Sequence, residues 1–132
     1  MPVSILIADD DANIALALRF LMEKDGYQVR VVADGDAALA AVEKYRPDIL
    51  ILDVMMPRRN GIEVCAAVRA NPAIAATRII MLSARGMDRE RRRGLRAGAD
   101  EYITKPFSTH EVLERVRDLL ARLPAQPTTT AG

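Results

Sequence analysis

Apolar residues fall into two alternating patterns along the chain. Short runs at 3–8, 29–32, 49–52 and 79–82, and a fifth at 101–104 (Glu101-Tyr102-Ile103-Thr104), are rich in β-branched or aromatic residues. They are too short for helices, and each predicts a strand. Ile49-Leu50-Ile51-Leu52 is wholly apolar, as expected of a central parallel strand buried on both faces. Longer stretches lie between the runs. The first holds Ile14, Leu16, Leu18, Phe20, Leu21 and Met22 and stops at Gly26. The second, 34–45, is rich in alanine and leucine, strong helix formers. Gly61 opens a third over 62–70, closed by Asn71-Pro72, and Gly98 stops a fourth over 88–97. Ser108-Thr109-His110-Glu111 has the spacing of a capping box, which predicts a last helix running to residue 123.

Five strands alternating with five helices imply an α/β fold. The sheet is parallel, with right-handed crossovers and helices on both faces. No second domain or internal repeat is visible. The expected folded unit is 1–123. Residues 124–132 contain two prolines, no charge and no large apolar side chain, and read as a disordered linker or tail.

Composition narrows the function classes. The chain's 132 residues suit one domain, and half of them are apolar, enough for a sizeable core. A formal net charge of +1 gives no overall reason for direct nucleic-acid or membrane binding. The one cysteine, Cys65, rules out an internal disulfide framework and fits a reducing, cytoplasmic setting. It is expected to be a small buried hydrophobe. No apolar run approaches the ~20 residues that span a bilayer. Met1-Pro2-Val3-Ser4 does not open like a secretory signal.

In open parallel sheets, ligands bind beyond the carboxyl ends of the strands. Strand 1 delivers Asp9, Asp10 and Asp11 there, strand 3 Asp53, strand 4 Ser83, and strand 5 leads to Lys105-Pro106. Singly, each has an ordinary explanation: a helix cap, a satisfied backbone group, a surface lysine. Asp53 is harder to dismiss, because a carboxylate ending a buried strand is costly unless paired. Clustered carboxylates repel one another, and a hard divalent cation relieves that repulsion. A lysine suits a phosphate oxygen, and a serine adds a small donor. Together these are the parts for phosphoryl transfer.

These segments resemble the response-regulator receiver domains. The matching residues are Ile5 through Asp11, Asp48 through Pro57 followed by Asn60-Gly61, Ile79 through Ala84, and Gly98 through Phe107. The resemblance implies a doubly wound, flavodoxin-like (βα)5 fold with strand order 2-1-3-4-5. It makes the chain a signalling switch rather than an enzyme, promoting only its own phosphorylation and slow autodephosphorylation. Asp53 would be the phosphoacceptor, taking its phosphoryl group from a histidine kinase or a histidine phosphotransfer protein. Magnesium, replaceable by manganese, would be held by Asp10, Asp53 and the Met55 backbone carbonyl, with Asp9 acting through water. Lys105, Ser83 and Ala84 would bind the phosphoryl oxygens, and the Lys105–Pro106 bond would be cis. Ser83 and Tyr102 would form the switch. The helix 4–strand 5–helix 5 face would then control an output domain or partner.

Two other functions on this type of sheet fit less well. Aspartyl-phosphate hydrolases carry a second Asp two residues after the first, where this chain has Met55, which cannot act as an acid or base. A nucleotide or flavin binder would want a Gly-rich loop after strand 1, and Asp9-Asp10-Asp11 would repel its phosphates. Residues 85–96 hold six arginines against Asp88 and Glu90. Without interleaved aromatics, this reads as a solvated face or as a dimer or output face. In a phosphorylation-dependent homodimer, Arg91 and Arg92 would meet Glu111, Glu114 or Asp118 of a second copy, with Arg115 on the same face as Glu111. His110, the only histidine, is expected to be exposed and not to be the phosphodonor.

Overall fold

The computed structural model describes residues 2–83 and 88–122. In chain order its elements are β1 (Ser4–Ala8), α1 (Ala12–Lys24), β2 (Gln28–Val32), α2 (Gly35–Tyr45) and β3 (Ile49–Asp53). They continue with α3 (Gly61–Ala70), β4 (Arg78–Ser83), α4 (Asp88–Ala97), β5 (Glu101–Thr104) and α5 (Thr109–Ala121). All neighbouring strands pair in parallel, in the order β2-β1-β3-β4-β5. The expected topology is therefore the observed one. Residues 124–132, expected as a tail, and Ala84 and Arg85 lie outside the described residues.

Alternation along the strands divides the core into two layers, because successive side chains point to opposite faces. Leu6, Leu50, Leu52, Ile79 and Met81 pack with Val42 of α2 and Val64, Cys65 and Val68 of α3. Ile5, Ile7, Ile49, Ile51, Ile80 and Leu82 pack with Leu18 and Met22 of α1 and Val112 and Val116 of α5. Each fully buried aliphatic side chain contributes about 1.5–3 kcal/mol relative to an exposed one. β3 is buried along its whole length, which explains why its sequence shows no polar alternation before Asp53.

The helix ends add detail that the apolar pattern lacks. Ser108 Oγ accepts from the Glu111 N–H at 3.0 Å, but the Glu111 carboxylate lies 3.7 Å from Arg115. The reciprocal capping box closes instead at α3, where Asn60 and Glu63 accept from each other's backbone N–H at 2.9 Å. Leu16 and Phe20, spaced i and i+4, face outward at 66% and 64% exposure, while Ala15, Leu18 and Met22 face the sheet. None of the described helices is long and apolar enough to cross a membrane.

Candidate acidic pocket at the strand ends

The three consecutive aspartates after β1 have three different environments. Asp9 is 1% exposed, and its Oδ1 accepts the Asp11 N–H at 2.9 Å. Asp10 is exposed at the rim. Asp11 caps α1, accepting from the N–H groups of Asn13 and Ile14 at 3.0 and 3.2 Å. The ordinary cap explanation therefore holds for Asp11 alone.

Asp53 closes β3 at 3% exposure. Its backbone is held on the α3 side by a close approach: a Cβ on Gly61 would lie 2.9 Å from Val54 Cα. The Gly61 N–H donates to the Val54 carbonyl at 2.8 Å, and the Val54 N–H to the Leu82 carbonyl at 2.9 Å. Asp53 is thus anchored to both α3 and β4. Lys105 is brought in from β5 by its N–H, which donates to the Ser83 carbonyl at 2.6 Å. The Lys105–Pro106 bond is cis.

Lys105 Nζ lies 3.4 Å from Asp53 Oδ2 and 3.9 Å from Asp9 Oδ2. Burial pushes the Asp53 carboxyl up to about 7; the Asp9 charge adds to the rise and Lys105 opposes it. Asp9, Asp10 and Asp53 each offer a carboxylate oxygen, and these oxygens lie within 4.8 Å of one another. Asp9 Oδ2 is buried without a hydrogen-bond partner among the described residues. An orphaned anionic oxygen among clustered carboxylates is what a hard cation would satisfy, so this donor set fits a divalent metal with oxygen ligands.

Ser83 ends β4, fully buried, opposite Thr104 in register. Met55 stands two residues past Asp53, at 64% exposure. Tyr102 pairs in register with Met81 and is 9% exposed, its hydroxyl oxygen buried. The fold therefore gathers Asp9, Asp10, Asp53, Ser83 and Lys105 at one rim and sets Tyr102 on the β5 side of it. Arg91 and Arg92 are exposed on α4. Arg115 of α5 lies 3.0 Å from Glu101 and 3.7 Å from Glu111. Glu101 also pairs with Arg122. His110 is exposed, and Cys65 is buried with its thiol pushed up to about 11, chiefly by burial.

Several features escape a reading of the sequence. A cleft of about 700 Å³ flanks Lys105, lined by Asn13, Ile14, Ala17, Pro106, Phe107 and Thr109. It forms where α1 meets the start of α5, elements far apart in the chain. Arg69 of α3 donates to the carbonyls of Gly98, Ala75 and Thr77 and to Asp100 Oδ2. Asp100 Oδ2 also accepts the Ile79 N–H at 2.8 Å. Arg69 thus ties α3 to the segment before β4 and to the loop between α4 and β5. No local motif marks it.

The sequence and the fold have counterparts in known proteins. The family model described as the response regulator receiver domain matches residues 5–117. The phosphate regulon transcriptional regulatory protein PhoB of Rhizobium meliloti is 42% identical over 118 residues, covering 89% of this chain and 52% of that protein. The sensory transduction protein RegX3 of Mycobacterium tuberculosis is 40% identical over 119 residues, covering 90% and 51%. This chain thus spans about half the length of these curated relatives. Among solved structures, the chemotaxis response regulator CheY4 of Vibrio cholerae superposes with a TM-score of 0.84 at 31% identity, covering 89% of this chain and 98% of that one. The receiver domain of a signal transduction histidine kinase from Syntrophus aciditrophicus gives 0.86 at 31% identity, covering 98% of both chains. With the strand order, the acidic rim and the family match in agreement, the chain belongs to the response regulator receiver domain family.

Proposed function

We propose that this chain is a phosphorylation-operated switch whose phosphoacceptor is Asp53. The observation that carries the reading is the buried Asp53 carboxylate facing Lys105 at 3.4 Å beside Asp9. An Asp53 oxygen attacks the phosphorus of a phosphohistidine on a histidine kinase or a histidine phosphotransfer protein. The phosphorus–nitrogen bond breaks, and the imidazole leaves with the bonding pair. Lys105 holds a phosphoryl oxygen as a point charge. Ser83 and Ala84 take the others. Magnesium, or manganese in its place, would be held by Asp10, Asp53 and the Met55 carbonyl, with Asp9 through water. When bound, it supplies positive charge to the phosphoryl oxygens.

The response runs through Ser83 and Tyr102 to the α4–β5–α5 face. The relatives' greater length supports control of an output domain or partner, with 124–132 as the connection. A phosphorylation-dependent homodimer would use Arg91, Arg92, Glu111 and Arg115, and the setting is cytoplasmic. Mass spectrometry with acetyl phosphate and magnesium tests the core of this reading. One phosphoryl group should be gained, and both Asp53→Asn and excess chelator should abolish the gain. Undiminished labelling of Asp53→Asn would place the acceptor elsewhere.

A further inference from the structure

Helix α4 meets the sheet in an unusual way. Its described positions 89, 91–93, 95 and 96 are exposed, and Gly94 is its buried one. Glycine is a poor helix former, so a buried glycine in a helix interior implies that something occupies the space of its missing side chain. Here a Cβ would lie 3.2 Å from Met81 Sδ, 3.2 Å from Tyr102 Cε2 and 3.5 Å from Tyr102 Cδ2. The sheet fills the helix at this point, rather than the helix filling the sheet.

A side chain at 94 would require the ring and the thioether to give by a few tenths of an ångström, and their burial resists that. Met81 is fully buried, and Met81 and Tyr102 are register partners on the same face. The C-terminal end of α4 is pinned: Arg69 Nε donates to the Gly98 carbonyl at 2.9 Å, and the Ala99 N–H to the Gly94 carbonyl at 3.2 Å. Cys65 Sγ approaches the Ala97 carbonyl at 3.5 Å. With the helix held from α3, a side chain at 94 acts first on the ring and the thioether.

We propose that Gly94 is a positioning residue for Tyr102. Its missing side chain forms the seat that holds the ring under α4, and the size of residue 94 sets how strongly the buried ring is favoured over one turned outward. The inference deepens the switch reading of Tyr102 and rests on it. If the buried ring is the state favoured by a group bound at Asp53, filling the seat must weaken that group's binding, because the two equilibria are linked.

The test uses magnesium with beryllofluoride as the phosphoryl mimic, and the ¹⁹F resonance of 3-fluorotyrosine at Tyr102, assigned with Tyr102→Phe. In Gly94→Ala the resonance should move to a solvent-exposed position. Beryllofluoride affinity should fall about tenfold, within the usual range of coupling between sites, while affinity for magnesium alone stays unchanged. In a Tyr102→Leu background, adding Gly94→Ala should cost no further affinity. A ring that stays buried in Gly94→Ala, or a further loss in the Tyr102→Leu background, overturns the seat. A displaced ring with unchanged beryllofluoride affinity leaves the seat standing and removes the switch role of Tyr102.

Discussion

Lys105 Nζ stands 3.4 Å from Asp53 Oδ2 and 3.9 Å from Asp9 Oδ2, so one ammonium group faces two buried carboxylates. Charge in the closed part of the pocket is therefore unbalanced, and the burial that raises the Asp53 carboxyl to about 7 is only partly offset. An unfolded Asp titrates near ~3.9. Between those two values the folded chain binds more protons than the unfolded one, so its stability falls as pH rises through that window. Asp53→Asn carries no charge at any pH and removes this slope. In chelator, urea melts should find the variant close to wild type near pH 4 and more stable by about 2–4 kcal/mol at pH 8. Parallel stability–pH curves for the two proteins would mean that Asp53 is not the group responsible.

A second prediction concerns the loop that carries Met55. A Cβ on Gly35 would lie 2.5 Å from Arg59 Cβ, and the Gly35 N–H donates to the Pro57 carbonyl at 3.2 Å. The start of α2 is thus a dock for the β3–α3 loop, where Arg58 already adopts a left-handed φ of 74°. Gly35→Ala should push the loop away, destabilising the chain by about 1–3 kcal/mol, as overpacking does. The same variant should weaken magnesium binding if the Met55 carbonyl is the ligand proposed above, because Met55 moves with the loop. Arg59→Ala removes only an exposed ion pair with Asp36 and should cost less than about 1 kcal/mol. Equal effects of the two substitutions would make the ion pair, rather than the backbone approach, what holds the loop.

The sequence revealed the sheet because its central strands β1, β3 and β4 are buried on both faces and therefore read as nearly unbroken apolar runs. The pocket was legible for a related reason: parallel strands all aim their carboxyl ends at one rim, so Asp9, Asp53, Ser83 and Lys105 could be placed together from order alone. What lay beyond reach depends on contacts between distant segments. Arg69 looks like any arginine on an amphipathic helix until the Gly98 carbonyl and Asp100 are seen around it. Gly35 and Gly94 look like costs to their helices until the loop and the tyrosine ring that occupy their missing side chains appear. The Ser108–Glu111 spacing promised a reciprocal box, but Arg115, one turn further on, competes for the carboxylate.

That competition bears on assembly. Arg115 is shared between Glu101 and Glu111 within one chain, so the α5 side of the proposed dimer face is already organised before a second copy arrives. Glu111→Lys should remove a partner for Arg91 or Arg92 across the two-fold axis and place two cations one helical turn apart. Sedimentation with magnesium and beryllofluoride should find a wild-type dimer and a monomeric variant. A wild type that stays monomeric at high concentration would leave the α4 arginines as a solvated face.

The lifetime of the phosphorylated state should depend on Met55. Hydrolysis requires a water in line with the bond between Asp53 and phosphorus, and Met55, two residues on in the chain, is 64% exposed. A thioether cannot orient a water, and its length is suited to obstruct one. Arg85 follows the Ser83-Ala84 segment in the sequence and lies outside the described residues; a guanidinium stays charged at neutral pH and is no base. Self-dephosphorylation should therefore be slow, and an amide at position 55 should speed it by positioning the attacking water. The gain in Met55→Asn should be about tenfold, short of the ~10²–10⁴ of a true general base, because an amide orients the water without accepting its proton. The measurement is the decay of purified, phosphorylated wild type and Met55→Asn in excess magnesium. Decay of the wild type within seconds, or equal rates in the two proteins, would show that the side chain at 55 does not govern access of water to the phosphoryl group.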